Sequence, residues 1–421
     1  MIGRRLSLAF ALLLAVACAA PRLPAPIVER GGTPAARPYV LLVSFDAFRA
    51  DYIDRYKPTA ISALAAAGVR ASALVPSFPS KTFPNHYTLV TGLVPGHHGI
   101  TGNVFYDPSR RAWYRNNDTL TTRDGSWYRG EPIWVTAERN GVHTATFFWP
   151  GSEAVIEGVR PTYFAQYDGR VPNTQRVDQT IAWLRMPAAQ RPHLALIYFS
   201  LMDDTTHHYG PEAPQTAGAV AALDNLLRRL LDSLAVLPIR DSVNVVLVSD
   251  HGMVATPPTQ TIPVSDLLVR GGVDTTGVLL SDNGAVMSLW FGADSSRLRR
   301  AQSVLSATMT HARAYLRSDA PARWAVRSEP RYGDLMLVAD EGWILQRRGT
   351  DKAPNAGNHG FDPELPSMQA IFVAAGPNVR RAGVIGRVPN VDVYPFLAAL
   401  LRLEKVPPVD GSLRVLGSLV Q

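Results

Sequence analysis

The chain has 421 residues, of which 46% are hydrophobic and 18% charged. That balance excludes a disordered or collagen-like chain and allows one large α/β domain or two ordinary ones. The net charge of +7 would suit anionic partners, but no dense Lys/Arg run carries it, so a nucleic-acid-binding module is not expected.

Residues 1–20, MIGRRLSLAFALLLAVACAA, have the order of a secretion signal: Arg4 and Arg5, an apolar run from Leu6 to Ala17, then small residues. The apolar run is short for a bilayer-spanning helix, so the expected location is the periplasm, across the inner membrane. Cys18, the only cysteine, lies inside this segment. The mature body is therefore expected to hold no disulfide, thiol nucleophile or cysteine metal site. Cys18 also stands where a bacterial lipid would attach, although Ala15 occupies a position where Leu is usual. A soluble form and an outer-membrane-anchored form both stay open. Residues 21–37, PRLPAPIVERGGTPAAR, read as a flexible tether, and the catalytic domain is expected over 38–421.

From residue 38 the texture changes. YVLLVSF, ending at Asp46, is a short continuous apolar run, the pattern of a strand buried on both faces of a parallel sheet. TAISALAAAG predicts a helix stopped by Gly68. SKTFPNHYTLVTGL predicts a second helix, with Thr82 as its N-cap or as something more. Further strands are expected at 193–200, 243–249 and 370–375, and helices in EPIWVTAERNG, TQRVDQTIAWLR and TAGAVAALDNLLRRLLDSLAVL. The last places Leu223, Leu226, Leu227, Leu230, Leu231 and Leu234 on one face, as a packed surface helix does. Residues 270–350 carry no such signature and are expected to include an accessory subdomain. The alternation predicts an α/β fold, a mostly parallel central sheet with helices on both faces.

In such folds chemistry collects beyond the carboxyl ends of the strands. There the sequence places Asp46, then Asp203, Asp204, His207 and His208, then Asp250 and His251, with His359 in a later loop. A lone Asp after a strand is often a turn residue and a lone His often a solvated one. Their recurrence at successive strand ends points instead to metal ions. Carboxylate and imidazole ligands without thiolates suit zinc or similar divalent ions, and three ligands per ion leave positions open for water and substrate. Two such ions would clamp the attacking and leaving oxygens of a phosphoryl displacement.

The stretches VSFDAFRADY, KTFPNHYTLVTGLVPGHHGITGN, FWPGS, DDTTHHYGP, VSDHGM and NHGF, in this order, resemble the nucleotide pyrophosphatase/phosphodiesterases of the alkaline phosphatase superfamily. The resemblance implies an alkaline phosphatase-like fold, two Zn2+ per chain, and a small-molecule phosphodiester or nucleotide substrate. It implies Thr82 as a metal-bound nucleophile that becomes phosphorylated, and Asn103 as a donor to a nonbridging phosphate oxygen. It assigns Asp46, Asp250 and His251 to the ion contacting Thr82, and Asp203, His207 and His359 to the other. Its register leaves Asp204 and His208 as neighbours, and Thr206 stands where relatives often have Gly. Phe83 and Tyr167 are the implied stacking aromatics, with Tyr163 the alternative to Tyr167. Lys81 reads as a solvated loop lysine, and His86, His97 and His98 as structural or as supports behind the ligands. Competing expectations are a phosphomonoesterase or phosphonoacetate hydrolase on the same fold, and a non-catalytic periplasmic binding protein.

Overall fold

Successive side chains of a strand point to opposite faces, and the continuous apolar runs bury both. In the computed structural model, which describes residues 37–421, all seven residues of the first strand, β1 (Tyr39–Phe45), are buried. The expected leader with Cys18, and the expected tether up to residue 36, lie outside the described residues.

The remaining strands of the main sheet are β2 (Val69–Ala71), β3 (Thr144–Phe147), β4 (Tyr163–Ala165), β5 (Leu194–Phe199), β6 (Val243–Val248), β7 (Phe372–Ala375) and β8 (Gly383–Ile385). They lie in the order β8-β2-β7-β6-β1-β5-β3-β4. Only β7 runs antiparallel to its neighbours β6 and β2; the other pairings are parallel.

Alternate residues feed two cores. Val40, Leu42, Leu194, Leu196, Val246 and Val248 pack on one face with Leu89, Trp134 and Phe396. Tyr39, Leu41, Val43, Ala195, Ile197 and Leu247 pack on the other with Ile61, Val177 and Leu227. The covering helices are α1 (Thr59–Ala67), α2 (Thr82–Thr91), α3 (Ile133–Arg139), α4 (Asn173–Leu184), α5 (Leu201–Tyr209), α6 (Pro214–Ala235) and α7 (Val393–Leu400). Along α6 the expected leucines are buried except Leu231, which is half-buried.

One local assignment differs from the sequence expectation, and one helix is capped by a residue far along the chain. Helix α1 begins at Thr59, after Pro58, without a side-chain cap of its own; instead Asp224 of α6, buried, accepts bonds from Ala60 N (3.1 Å), Ile61 N (2.9 Å) and the Thr59 hydroxyl (3.1 Å). Helix α2 takes Lys81 as its N-cap, so Thr82 is the first helical residue and caps nothing. A proline third in the helix is tolerated because the first-turn N–H groups have no intrahelical partner.

Within 270–350 a separate four-stranded antiparallel sheet forms, in the order Leu279–Leu280, Val286–Trp290, Leu335–Ala339, Ala312–Leu316. Helix Ser295–Thr308 and helix Val264–Arg270 cover it, with Leu268, Leu289, Leu305 and Leu337 at their contact.

Candidate active site

The pairing register accounts for the convergence of the polar residues. Strands β6, β1 and β5 are parallel neighbours, with Ser44 opposite Val248 and Phe45 opposite Phe199. Asp46, Asp250 and the start of α5 therefore emerge side by side at one edge. Asp203 and His207 are one turn apart on α5, on the same helical face. His359 follows the short strand Gly357–Asn358, which pairs with Val254–Ala255 just beyond His251.

Two groups of three result: Asp46, Asp250 and His251, and Asp203, His207 and His359, each with its nearest donor atoms within 4.8 Å of one another. They adjoin, since the His251 and His359 rings stack with centroids 3.7 Å apart. In the first group His251 Nε2 lies 2.9 Å from Asp250 Oδ2 and 3.6 Å from Asp46 Oδ1. In the second, Asp203 Oδ1 lies 3.4 Å from His207 Nε2 and 3.7 Å from His359 Nε2. A tetrahedral ion with bonds of about 2.0–2.2 Å would space its ligand atoms about 3.3–3.6 Å apart.

The outer atoms of these side chains are already engaged. The three Nδ1 atoms meet backbone carbonyls: His251 with Gly252 (2.9 Å), His207 with Gly357 (2.7 Å) and His359 with Ser80 (2.9 Å). A carbonyl only accepts, so each Nδ1 carries the proton and each Nε2 presents a lone pair inward. Tyr198 donates to Asp46 Oδ2 at 2.5 Å, and Ala47 N donates to Asp250 Oδ1 at 3.2 Å. Among the described residues the opposite oxygens, Asp46 Oδ1, Asp250 Oδ2 and Asp203 Oδ1, are buried and accept no hydrogen bond, although His251 Nε2 and His86 Nδ1 lie 2.9 and 3.2 Å from Asp250 Oδ2. Burial and the Asp250 and Asp203 carboxylates hold Asp46 well above the usual carboxylate range. A cluster this short of positive charge, with inward atoms unsatisfied, fits divalent cations.

Thr82 Oγ1 lies 3.3 Å from His251 Nε2, at the junction of the two groups. Beside it Asn103 accepts from Phe83 N with Oδ1 (3.0 Å), which leaves Nδ2 as the free donor of that amide. At the start of α2 the Phe83 N–H is used by Asn103 and Pro84 has none, so neither is available to a ligand. Thr82, Phe83, Asn103, Tyr167, Asp46, Asp203, His207 and His359 line one cleft of about 380 Å³. Tyr167 is 50% exposed at its mouth and packs edge-on against Phe148. Asp204 and His208 are exposed, and Tyr163 packs against Trp183 outside the cleft lining.

His98 is buried against Thr88 and the Pro84 carbonyl, and His97 pairs with Asp410 on the surface. His86 bridges the site's parts, with Nε2 at 2.8 Å from Ser44 Oγ and Nδ1 at 3.0 Å from Thr82 O and 3.2 Å from Asp250 Oδ2. Lys81 is not the solvated lysine the sequence suggests. It is 6% exposed, and its stem passes so close to Gly360 that a Cβ there would sit 2.6 Å from Cε. Burial lowers its ammonium to about 8, against the opposing pull of Asp203 and Asp282.

Sequence reasoning also missed Tyr198, Arg123 and Glu153. Glu153 ties the cleft's mouth together, accepting from Arg123 Nε (2.7 Å) and Tyr167 N (2.8 Å). Tyr198 had one signal: it is the single hydroxyl inside an otherwise apolar run, and a buried phenol needs a partner.

Comparison with known proteins agrees with this geometry. Residues 40–362 match the family model for type I phosphodiesterase / nucleotide pyrophosphatase. The chain is 32% identical over 381 residues to human ectonucleotide pyrophosphatase/phosphodiesterase family member 1, covering 88% of this chain but only 40% of that protein. It is also 32% identical to Xenopus laevis bis(5'-adenosyl)-triphosphatase, covering 89% of this chain and 80% of the relative. Among solved structures, murine ectonucleotide pyrophosphatase/phosphodiesterase 5, an inactive variant in complex with AMP, superposes with a TM-score of 0.85 at 29% identity, over 91% of this chain and all of that one. The chain belongs to the type I phosphodiesterase / nucleotide pyrophosphatase family and has its alkaline-phosphatase-like α/β fold.

Proposed function

We propose that this chain hydrolyses phosphodiester or phosphoanhydride bonds of nucleotide-type small molecules through a phospho-threonine intermediate at a two-zinc site. The observation that carries the proposal is the placement of Thr82 Oγ1 3.3 Å from His251 Nε2, beside two adjoining three-ligand groups that each turn a buried carboxylate oxygen inward. Asp46, Asp250 and His251 would hold one ion and Asp203, His207 and His359 the other. When bound, zinc supplies Lewis acidity, which favours the alkoxide and hydroxide forms of oxygen near neutral pH.

Thr82 Oγ1 attacks the phosphorus, the bond to the leaving oxygen breaks, and phosphorylated Thr82 is released by water, which leaves the threonine hydroxyl restored. Asn103 Nδ2 donates to a nonbridging oxygen, fixed in that role because Oδ1 is held by Phe83 N. Phe83 and Tyr167 offer aromatic faces to a nucleobase or another flat group. The AMP complex of the murine relative and the dinucleoside activity named for the Xenopus relative support a nucleotide in this cleft.

The test is turnover of bis-p-nitrophenyl phosphate by zinc-loaded protein, with Thr82→Ala as control. The variant is expected to lose turnover while keeping its fold; unchanged turnover removes the threonine mechanism. A clear preference for p-nitrophenyl phosphate would replace the diesterase reading with the monoesterase one.

A further inference from the structure

We infer that Asn283, at the tip of a hairpin in the second sheet, is a positioning residue that aims Asn103 at the substrate phosphate. The inference rests on the proposed role of Asn103. Asn283 makes a two-point contact with the neighbouring backbone: Nδ2 donates to Val104 O at 2.7 Å, and Val104 N donates to Oδ1 at 3.1 Å.

The strand geometry explains why one side chain can do this. Val104–Asp107 and Ala112–Arg115 form an antiparallel hairpin with Val104 opposite Arg115. Asn116 N bonds to Asn103 O at 2.9 Å, so Asn103 and Asn116 form a hydrogen-bonded pair. In such a ladder the next residue, Val104, turns both its N–H and C=O away from the partner strand. The Asn283 amide pairs with both as a third strand would. Gly102 makes room for it, since a Cβ there would lie 3.0 Å from Asn283 Nδ2. Gly284, at φ +72°, turns the tip between Asn283 and its bridge partner Val286.

Asn103 is thus gripped at its amide oxygen by Phe83 N, at its carbonyl by Asn116 N, and through the following residue by Asn283. The hairpin as a whole has other anchors. Trp290 packs edge-on against Tyr106 and Trp113, and Arg331 binds Asp107 and the Gly99 and Trp127 carbonyls. Removing the Asn283 amide therefore leaves the hairpin docked and frees only the segment 102–104. A small misplacement of a donor costs rate far more than stability.

The experiment is a double-mutant cycle on zinc-loaded protein with bis-p-nitrophenyl phosphate, using Asn283→Ala, Asn103→Ala and the double variant. Asn283→Ala is expected to lower kcat about tenfold with KM changed by less than about twofold. Its thermal midpoint should stay within about 3 °C of the parent. In the Asn103→Ala background the same change should cost less than about twofold. Losses that multiply, or a parental kcat in Asn283→Ala, overturn the clamp. Parental turnover in Asn103→Ala instead removes the reading on which it rests. Should Asn283→Ala fold poorly, Asn283→Asp, which keeps the acceptor but loses the donor to Val104 O, runs the same cycle.

Discussion

Tyr198→Phe isolates one atom beside the proposed metal centre. Burial and the nearby Asp46 carboxylate hold the Tyr198 phenol well above its ordinary value, so its hydroxyl is a donor across the accessible pH range. Among the described residues that donor is the one hydrogen-bond partner of Asp46 Oδ2, at 2.5 Å. The ring itself packs edge-on against His86 with centroids 5.0 Å apart, and Phe retains that contact. A hydrogen bond to a charged group is worth about 1.5–3 kcal/mol. At about 1.4 kcal/mol per decade the loss corresponds to roughly 10–100-fold in zinc affinity, the range expected when an outer partner of a ligand is removed. Because Asp46 belongs to one group of three, a competition titration with a chromophoric chelator should show one zinc weakened and the other unchanged. Affinity within about twofold of the parent, or equal weakening of both ions, would refute the assignment of Asp46 as a ligand oriented by Tyr198.

Tyr167→Ala should raise KM for nucleotide substrates by about 5–150-fold, the equivalent of one stacking contact of about 1–3 kcal/mol. It should leave the thermal midpoint unchanged because the side chain is half exposed, and an unchanged KM would remove Tyr167 from the substrate face. Arg331→Met should lower the unfolding free energy by about 3–5 kcal/mol at neutral pH, because it removes the buried partner of the Asp107 carboxylate and the donor to the Gly99 and Trp127 carbonyls. Burial alone raises Asp107, but the Ser109 hydroxyl and Arg331 outweigh it and hold the folded value below the ordinary one. The stabilisation is therefore present at neutral pH and lost as pH falls through the folded value, so parent and variant should converge in acid denaturation. Curves that stay parallel down to acid would contradict that linkage.

Asp46, Asp203 and Asp250 were legible because each follows an apolar run long enough to mark a buried parallel strand, and parallel strands deliver their carboxyl ends to one edge. The spacing of Asp203 and His207 was legible for a similar reason, one helical turn placing both on one face. Thr82, Asn103 and the partition of ligands came from motif resemblance, since nothing in periodicity says which imidazole meets which carboxylate. Lys81 was misread because composition near a loop says nothing of burial. Its placement depends on Gly360, which lies 279 residues further along the chain.

The sequence by itself determined what is local: the strand and helix runs, the polar residues at their ends, and the absence of cysteine from residues 19–421. Only the tertiary structure decided what depends on pairs distant in the chain. The antiparallel course of β7, the Asp224 cap on α1, the Tyr198–Asp46 bond and the Asn283 contact with Val104 all belong to that class. Hydrophobic patterning specifies which face of an element turns inward. The partner of a buried polar atom is set by register and by sheet order, and these exist only once the chain has closed on itself.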